Sequence, residues 1–191
     1  SLPTGAMTLI KTQTASSSAT ISFVHGTSDV TLDSTYPIYV FKFINIHPAT
    51  DSTHFTFQGS INGGSSYGVT MTTTSFQTNH KEDGSGADLY YWTGGDLAQS
   101  TSFQRLAVYV DNDADSNSCG ELYLFNPSST TFVKHFTARM SLNQDASSKM
   151  LLDNYTAGYF NDTNDINAIQ FKMASGNIDA GIIKLYGIKD S

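Results

Sequence analysis

The carboxyl-terminal segment Gly176–Ile188, with the sequence GNIDAGIIKLYGI, constrains the fold more than any other part of the chain. Apolar and polar residues alternate in it, and an aromatic residue lies near its far end. The segment Gly120–Pro127, GELYLFNP, has the same form. Alternation of this kind is typical of half-buried antiparallel strands, and the preceding glycines suggest entry through turns. Both segments therefore predict a β-sandwich.

The composition of the chain supports strands over helices. Phe occurs 12 times and Tyr 10 times, residues that favour pleated surfaces, whereas Glu occurs only at Glu82 and Glu121. The length of 191 residues suits a single all-β domain spanning residues 1–191. About ten strands separated by short turns predict an all-β fold, a two-sheet antiparallel sandwich of jelly-roll type.

Three local predictions follow from the pattern. Tyr36–His47 is almost continuously apolar and predicts a central strand. His54–Ile61 and Tyr67–Phe76 flank an Asn-Gly turn and predict a β-hairpin. Asn79–Gly95 mixes charge and glycine around the single tryptophan, which predicts a long surface loop.

The charge balance argues against several classes of partner. The net charge is −7 and the only arginines are Arg105 and Arg139, so a nucleic-acid-binding surface is not expected. No apolar run approaches the roughly 20 residues that span a bilayer, so no membrane segment is expected. The single cysteine, Cys119, cannot form an intrachain disulfide. Stability must therefore come from packing, assembly or bound ions.

One acidic loop has the spacing of a calcium site. Asp111, Asp113, Asp115 and Asn117 place side-chain oxygens at every second position, as in loops that bind Ca²⁺. The glycine and the bidentate acidic residue of a helix-loop-helix site are replaced by Ser116 and Leu122. The alternatives are a weak structural calcium site and a solvated Asp/Asn turn.

Catalytic motifs are not evident in the sequence. The five histidines lack the paired spacing of a zinc site, and no Gly-x-Ser-x-Gly, Walker or dinucleotide-binding glycine motif occurs. We therefore expect a protein that is not an enzyme.

The aromatic residues Tyr90, Tyr91 and Trp92 form a cluster in the sequence. Such rings can stack on the apolar faces of sugars. They can equally be buried in the core or at a subunit contact, and with one tryptophan in the chain we expect burial or a subunit contact for Trp92.

A set of segments spread over most of the chain resembles a group of small virion-associated proteins of marine tailed bacteriophages. The segments are Phe43–Asp51, Phe55–Tyr67, Asp96–Thr101, Gly120–Ser129 and Ser175–Gly187, the last with the closing pattern G-N-I-x-A-G-x-I-K-L-Y-G. The resemblance implies a structural component of the particle. It transfers no catalytic residues.

Two functions are compatible with that resemblance. The first is a decoration or cement protein on the capsid exterior, which binds other virion proteins by multivalent contacts and assembles as a homo-oligomer, with a trimer favoured. The acidic composition suits the exterior, away from the DNA. The second is a tail- or fibre-associated adhesin that binds host-surface glycans. A free carbohydrate-binding module is a third alternative.

Overall fold

The computed structural model describes residues 7–144 and 149–189. These residues form twelve strands: β1 (Thr8–Ser18), β2 (Ile21–Val24), β3 (Ile38–Pro48), β4 (Thr53–Ser60), β5 (Met71–Lys81), β6 (Ala87–Tyr91), β7 (Gln104–Val110), β8 (Ser118–Phe125), β9 (Lys134–Gln144), β10 (Met150–Phe160), β11 (Ala168–Met173) and β12 (Ile178–Ile188). The predicted all-β class is confirmed, with two more strands than expected.

The strands form two antiparallel sheets of unequal width. The large sheet has eight strands in the order β1-β12-β3-β8-β9-β10-β5-β6, and the small sheet has four in the order β2-β11-β4-β7. The two sheets pack face to face as a β-sandwich, as predicted. We call the side of the large sheet that is directed away from the small sheet the outer face.

Aromatic side chains fill the core between the two sheets. Phe171 of β11 lies at their centre, with its ring 5.1 Å from the ring of Phe41 and 5.2 Å from that of Phe43. The Phe55 ring stacks on Phe171 at 5.8 Å. All four side chains are fully buried. The strand that contains Phe41 and Phe43 is β3, which confirms the predicted strand at Tyr36–His47.

The predicted hairpin around Asn62-Gly63 is wrong. β4 lies in the small sheet between β11 and β7, whereas β5 lies in the large sheet between β10 and β6. The Asn62 side chain accepts a hydrogen bond from Ser60 Oγ and donates one to Ser66, so a local turn does form. The chain then crosses to the other sheet instead of returning along β4.

The segment Asn79–Gly95 lies largely at the surface, as predicted, but the prediction of a long loop is wrong. β5 continues to Lys81, and β6 pairs with it in a hairpin, with Phe76 opposite Tyr91 and His80 opposite Ala87. All five residues of β6 are exposed because it is the edge strand of the large sheet.

The closing strand is confirmed as β12, but two glycines of the predicted segments, one in β12 and one in β8, lie inside strands. Gly181 lies inside β12 at φ +126°, where a Cβ atom would come within 2.7 Å of the Asn45 carbonyl oxygen. Gly120 lies inside β8, where a Cβ atom would lie 2.1 Å from the Arg139 carbonyl oxygen. Both glycines therefore permit close backbone approach within a sheet rather than a turn before a strand.

Candidate functional site

The structure separates the three aromatic residues that are adjacent in the sequence. Along β6, Tyr91 lies opposite Phe76 on the outer face, whereas Tyr90 lies opposite the buried Gln77. Trp92 follows β6 and packs towards the small sheet, beside Tyr109 of β7. The reason is the two-residue period of a strand, which directs neighbouring side chains to opposite faces.

Trp92 belongs instead to a cluster with residues of β4 and β7. Tyr90 lies beside this cluster: burial raises the pKa of Tyr90, and Tyr109 contributes a smaller electrostatic effect. The rings of His54, Trp92 and Tyr109 lie edge to face, with centroids 5.2 Å apart for His54–Tyr109 and 6.4 Å apart for the other two pairs. Arg105 lies over the Trp92 ring at 5.7 Å. We call His54, Tyr90, Trp92, Arg105 and Tyr109 the aromatic edge cluster. It joins the two sheets on one side of the sandwich.

The backbone presents Tyr109 in an unusual conformation. Its φ is +54°, a left-handed value that is rare for a bulky aromatic residue and costs on the order of 1–3 kcal/mol. Its N–H donates to His54 Nδ1 at 3.2 Å. The register of β4 against β7 is irregular between Thr53 and Thr56, next to this point. The irregularity leaves the Tyr109 side chain 40% exposed.

Trp92 is held firmly in the cluster. The Trp92 ring lies against Gly95, where a Cβ atom would be 1.9 Å from Trp92 Cε3. Gly95 N–H donates to the Trp92 carbonyl oxygen, and Arg105 Nη1 donates to the carbonyl oxygen of Gly94 at 2.8 Å. Trp92 is half-buried, which agrees with the expected burial only in part.

His54 is neutral at pH 7. Burial, with the Arg105 charge as a smaller cause, lowers the pKa of His54 to about 4. Because Nδ1 accepts the Tyr109 N–H, the ring proton of neutral His54 lies on Nε2. No described residue accepts a hydrogen bond from that nitrogen.

Two buried amides lie beneath Tyr90. The Tyr90 hydroxyl donates to Gln77 Oε1 at 2.5 Å, and Gln77 lies opposite Asn154 in the next strand. Gln77 Nε2 and both polar side-chain atoms of Asn154 are buried and have no hydrogen-bond partner in the described part of the chain. Unpartnered buried amides are unusual and destabilising.

The outer face forms a second surface. One row of side chains crosses all eight strands in register, from Tyr91 through Phe76, Tyr155, Arg139, Glu121, Lys42 and Lys184 to Thr12. One end of the row is aromatic and the middle is charged. Lys42 forms an ion pair with Glu121.

The aromatic end of this row is ordered by direct contacts. The Phe76 and Tyr155 rings stack at 4.6 Å with an interplanar angle of 5°. Arg139 lies 5.1 Å above Tyr155, and its Nε and Nη2 donate to the Asp153 carboxylate. Exposed apolar side chains occur across the same face, namely Leu9, Ile44, Phe76, Leu89, Tyr91 and Leu151. No second layer of described strands covers them.

The acidic loop lies between β7 and β8. Asp111 is buried, whereas Asp113 and Asp115 are exposed, and Asn117 is half-buried. Among residues 7–144 and 149–189, no group of three or more His, Cys, Asp or Glu side chains is arranged to hold a metal ion. Calcium binding by Asp111, Asp113, Asp115 and Asn117 stays a prediction.

Sequence reasoning missed three members of the aromatic edge cluster, His54, Arg105 and Tyr109. His54 and Tyr109 lie 55 residues apart and meet because β4 pairs with β7. Phe76 and Tyr155 were missed for the same reason, since β5 and β10 are distant in the sequence. The alternation of apolar and polar residues in β5 and β10 could have indicated that the Phe76 and Tyr155 side chains point outwards. The sequence did not indicate that these two strands pair.

No family model, curated protein or solved structure matches this chain. The described residues include no helix with the length and apolar character needed to cross a membrane. The fold and the two surfaces are therefore the basis for any functional proposal.

Proposed function

We propose that the chain is a structural protein of a bacteriophage virion, a decoration or cement protein on the capsid exterior. The observation that carries the proposal is the outer face, which no described strand covers, with its exposed apolar side chains and ordered aromatic row. Contiguous exposed apolar surface marks interaction sites in proteins. The sequence resemblance to virion-associated proteins supports the same function, and no enzymatic activity is part of the proposal.

In this function the outer face binds a neighbouring copy or another virion protein. Stabilisation comes from many weak contacts repeated over the particle. The net charge of −7 suits a position on the exterior, where the protein does not meet the packaged DNA. A homotrimer is the assembly we favour, since cyclic oligomers close without leaving free contact surfaces.

The test is the number of copies in purified particles, measured by mass spectrometry against labelled peptides of this chain. Hundreds of copies per particle are expected, and a dozen or fewer would contradict the proposal. Light scattering on a sizing column then gives the mass of the purified protein. The double variant Phe76→Ser/Tyr155→Ser should lose assembly on the particle, whereas the matched variant Tyr109→Ser, away from the outer face, should retain it.

A structural Ca²⁺ ion bound by the acidic loop is part of the proposal. Millimolar calcium should raise the thermal unfolding midpoint, because a ligand that binds only the folded state stabilises it. The double variant Asp113→Asn/Asp115→Asn should remove the rise. An unchanged midpoint for the parent protein at about 10 mM calcium would reject the site.

The second candidate function is an adhesin of the tail or fibre that binds host-surface glycans. The observation that favours it is the aromatic edge cluster, in which Tyr90 and Tyr109 are each 40% exposed. Alanine at both tyrosines should abolish attachment of the protein to host cells without unfolding it. Unchanged attachment would count against the adhesin.

A further inference from the structure

We propose that the aromatic edge cluster is a carbohydrate-binding site that takes a pyranose ring of a polysaccharide, with Tyr109 and Tyr90 as stacking residues and His54 and Arg105 as hydrogen-bond donors. The inference rests on the second candidate function and deepens it by naming the site and the ligand chemistry. It does not depend on the particle-assembly function, which uses the outer face.

The stacking surface is the first argument. Tyr90 of β6 and Tyr109 of β7 are exposed large aromatic side chains at the same edge of the sandwich, and each is 40% accessible. Aromatic faces are electron-rich, and the axial C–H groups of a pyranose carry partial positive charge. A sugar ring therefore stacks on a tyrosine with its hydroxyl groups directed sideways, towards polar side chains.

The backbone of Tyr109 is the second argument. A tyrosine at φ +54° is disfavoured, and glycine would adopt this conformation without cost. Strained residues of this kind occur at ligand clamps, where the surrounding structure holds them in place. The His54 imidazole fixes this backbone by accepting the Tyr109 N–H.

The order of the cluster is the third argument. Trp92 is fixed against Gly95 and under Arg105, and it contacts the rings of both His54 and Tyr109. Tyr90 is fixed by its hydrogen bond to Gln77. Side chains that are already immobilised lose little conformational entropy when they bind a ligand.

The polar groups are the fourth argument. Neutral His54 offers its Nε2–H, and the guanidinium of Arg105 has nitrogens other than Nη1 with no acceptor among the described residues. Sugar hydroxyl groups accept such hydrogen bonds. A nucleic acid also stacks on aromatic rings, but a chain of net charge −7 repels its phosphates.

Trp92 supplies the readout, because it is the only tryptophan in the chain. Its emission is followed while the purified protein is titrated with cellohexaose, maltohexaose or hexagalacturonic acid. Electrophoresis through gels that contain the parent polymers gives an independent measure of retention. We expect a saturable change in emission and retention with at least one of the three sugars.

Two variants separate loss of the site from loss of the fold. Tyr109→Gly removes the ring while relieving the backbone, so the unfolding midpoint should be unchanged or higher and the affinity at least about tenfold lower. Phe76→Ala removes an aromatic ring on the outer face and should leave binding unchanged. Glycerol at the same concentration of hydroxyl groups controls for a solvent effect on Trp92.

The proposal is overturned if none of the three sugars changes Trp92 emission or retention, if glycerol gives the same change, or if Tyr109→Gly binds as the parent does. Sugar binding without attachment to host cells would retain the site and reject the adhesin. Attachment to cells without sugar binding would retain the adhesin and reject this site.

Discussion

The two halves of the large sheet differ in the polarity of the side chains that face the core. Around β3 and β12 the inward side chains are apolar, including Phe41, Phe43 and Ile183. Around β5 and β10 many of them are polar, including Gln77 and Asn154. One row illustrates the change, since it runs in register from Ile183 and Phe43 through Gly120 and Met140 to Asn154, Gln77 and Tyr90.

The unequal width of the sheets accounts for this difference. A four-stranded sheet cannot cover eight strands, and its edge strand β7 lies over β9 and β10. Beyond β7 the cover comes from the segment that carries Trp92 and Gly95. The buried Gln104 side chain bonds this segment to β5, donating to the Gly95 carbonyl oxygen at 2.6 Å and accepting from Thr73 Oγ1. In the polar half, the covering loop is held by hydrogen bonds of the Gln104 and Thr73 side chains. In the apolar half, phenylalanines pack against the small sheet.

Phe171→Ala should have the largest effect, because it removes the ring of the small sheet that packs on Phe41 and Phe43 in the apolar half. Loss of a fully buried phenylalanine leaves a cavity and should reduce the free energy of unfolding by about 3–5 kcal/mol. Urea denaturation measures this loss. The matched variant Phe132→Ala, at a side chain 70% exposed, should stay within about 0.5 kcal/mol of the parent. A loss for Phe171→Ala of less than about 1.5 kcal/mol would contradict this picture of the core.

Gly95→Ala tests the covering loop of the polar half. The new methyl group would overlap the Trp92 ring, so Trp92 should leave its position against His54 and Tyr109. We expect a loss of about 1–3 kcal/mol in unfolding free energy and a red-shifted emission of the single tryptophan. Gly68→Ala is the control, since its Cβ atom would meet nothing closer than 4.0 Å. Unchanged emission in Gly95→Ala would show that Trp92 is not held by Gly95.

The fold class and most strands followed from alternation, because a sheet with one buried face imposes a period of two on the sequence. The partner of each strand did not follow. Asn62 and Gly63 made a local turn, but the sheet that β5 joins depends on its long-range pairing with β10. Tyr90 and Trp92 were found as candidates because they are neighbours in the sequence. His54, Arg105 and Tyr109, which complete the cluster, come from β4 and β7 and were not found.

His54, in the aromatic edge cluster, makes the free energy of unfolding dependent on pH. Its pKa in the folded state is lowered to about 4, so the unfolded state binds the proton first as the pH falls. The contribution is fully present above about pH 6.5 and is lost as the pH falls from there through 4. After allowance for partial solvent exposure, we expect a loss of about 1–2 kcal/mol across that range.

Denaturation of His54→Gln between pH 7 and pH 4 is the measurement. The variant should show a shallower pH dependence than the parent. Gly68→Ala, which alters no titratable group, should keep the parent's dependence. Equal slopes for the parent and His54→Gln would show that His54 is not the group responsible.

Asn154→Leu should have the smallest effect, and its sign is opposite to that of an ordinary core substitution. The Asn154 side chain is buried without a hydrogen-bond partner among the described residues, so an apolar side chain of similar size should raise the unfolding free energy by about 1 kcal/mol. Asn143→Leu is the matched control. The Asn143 side chain accepts a bond from Asn117 N–H and donates one to Ser116 Oγ, so its loss should destabilise by about 1 kcal/mol. If both substitutions destabilise to the same extent, the amides of the polar half are as well satisfied as those elsewhere. The contrast between the two halves would then be one of side-chain composition, without a difference in stability.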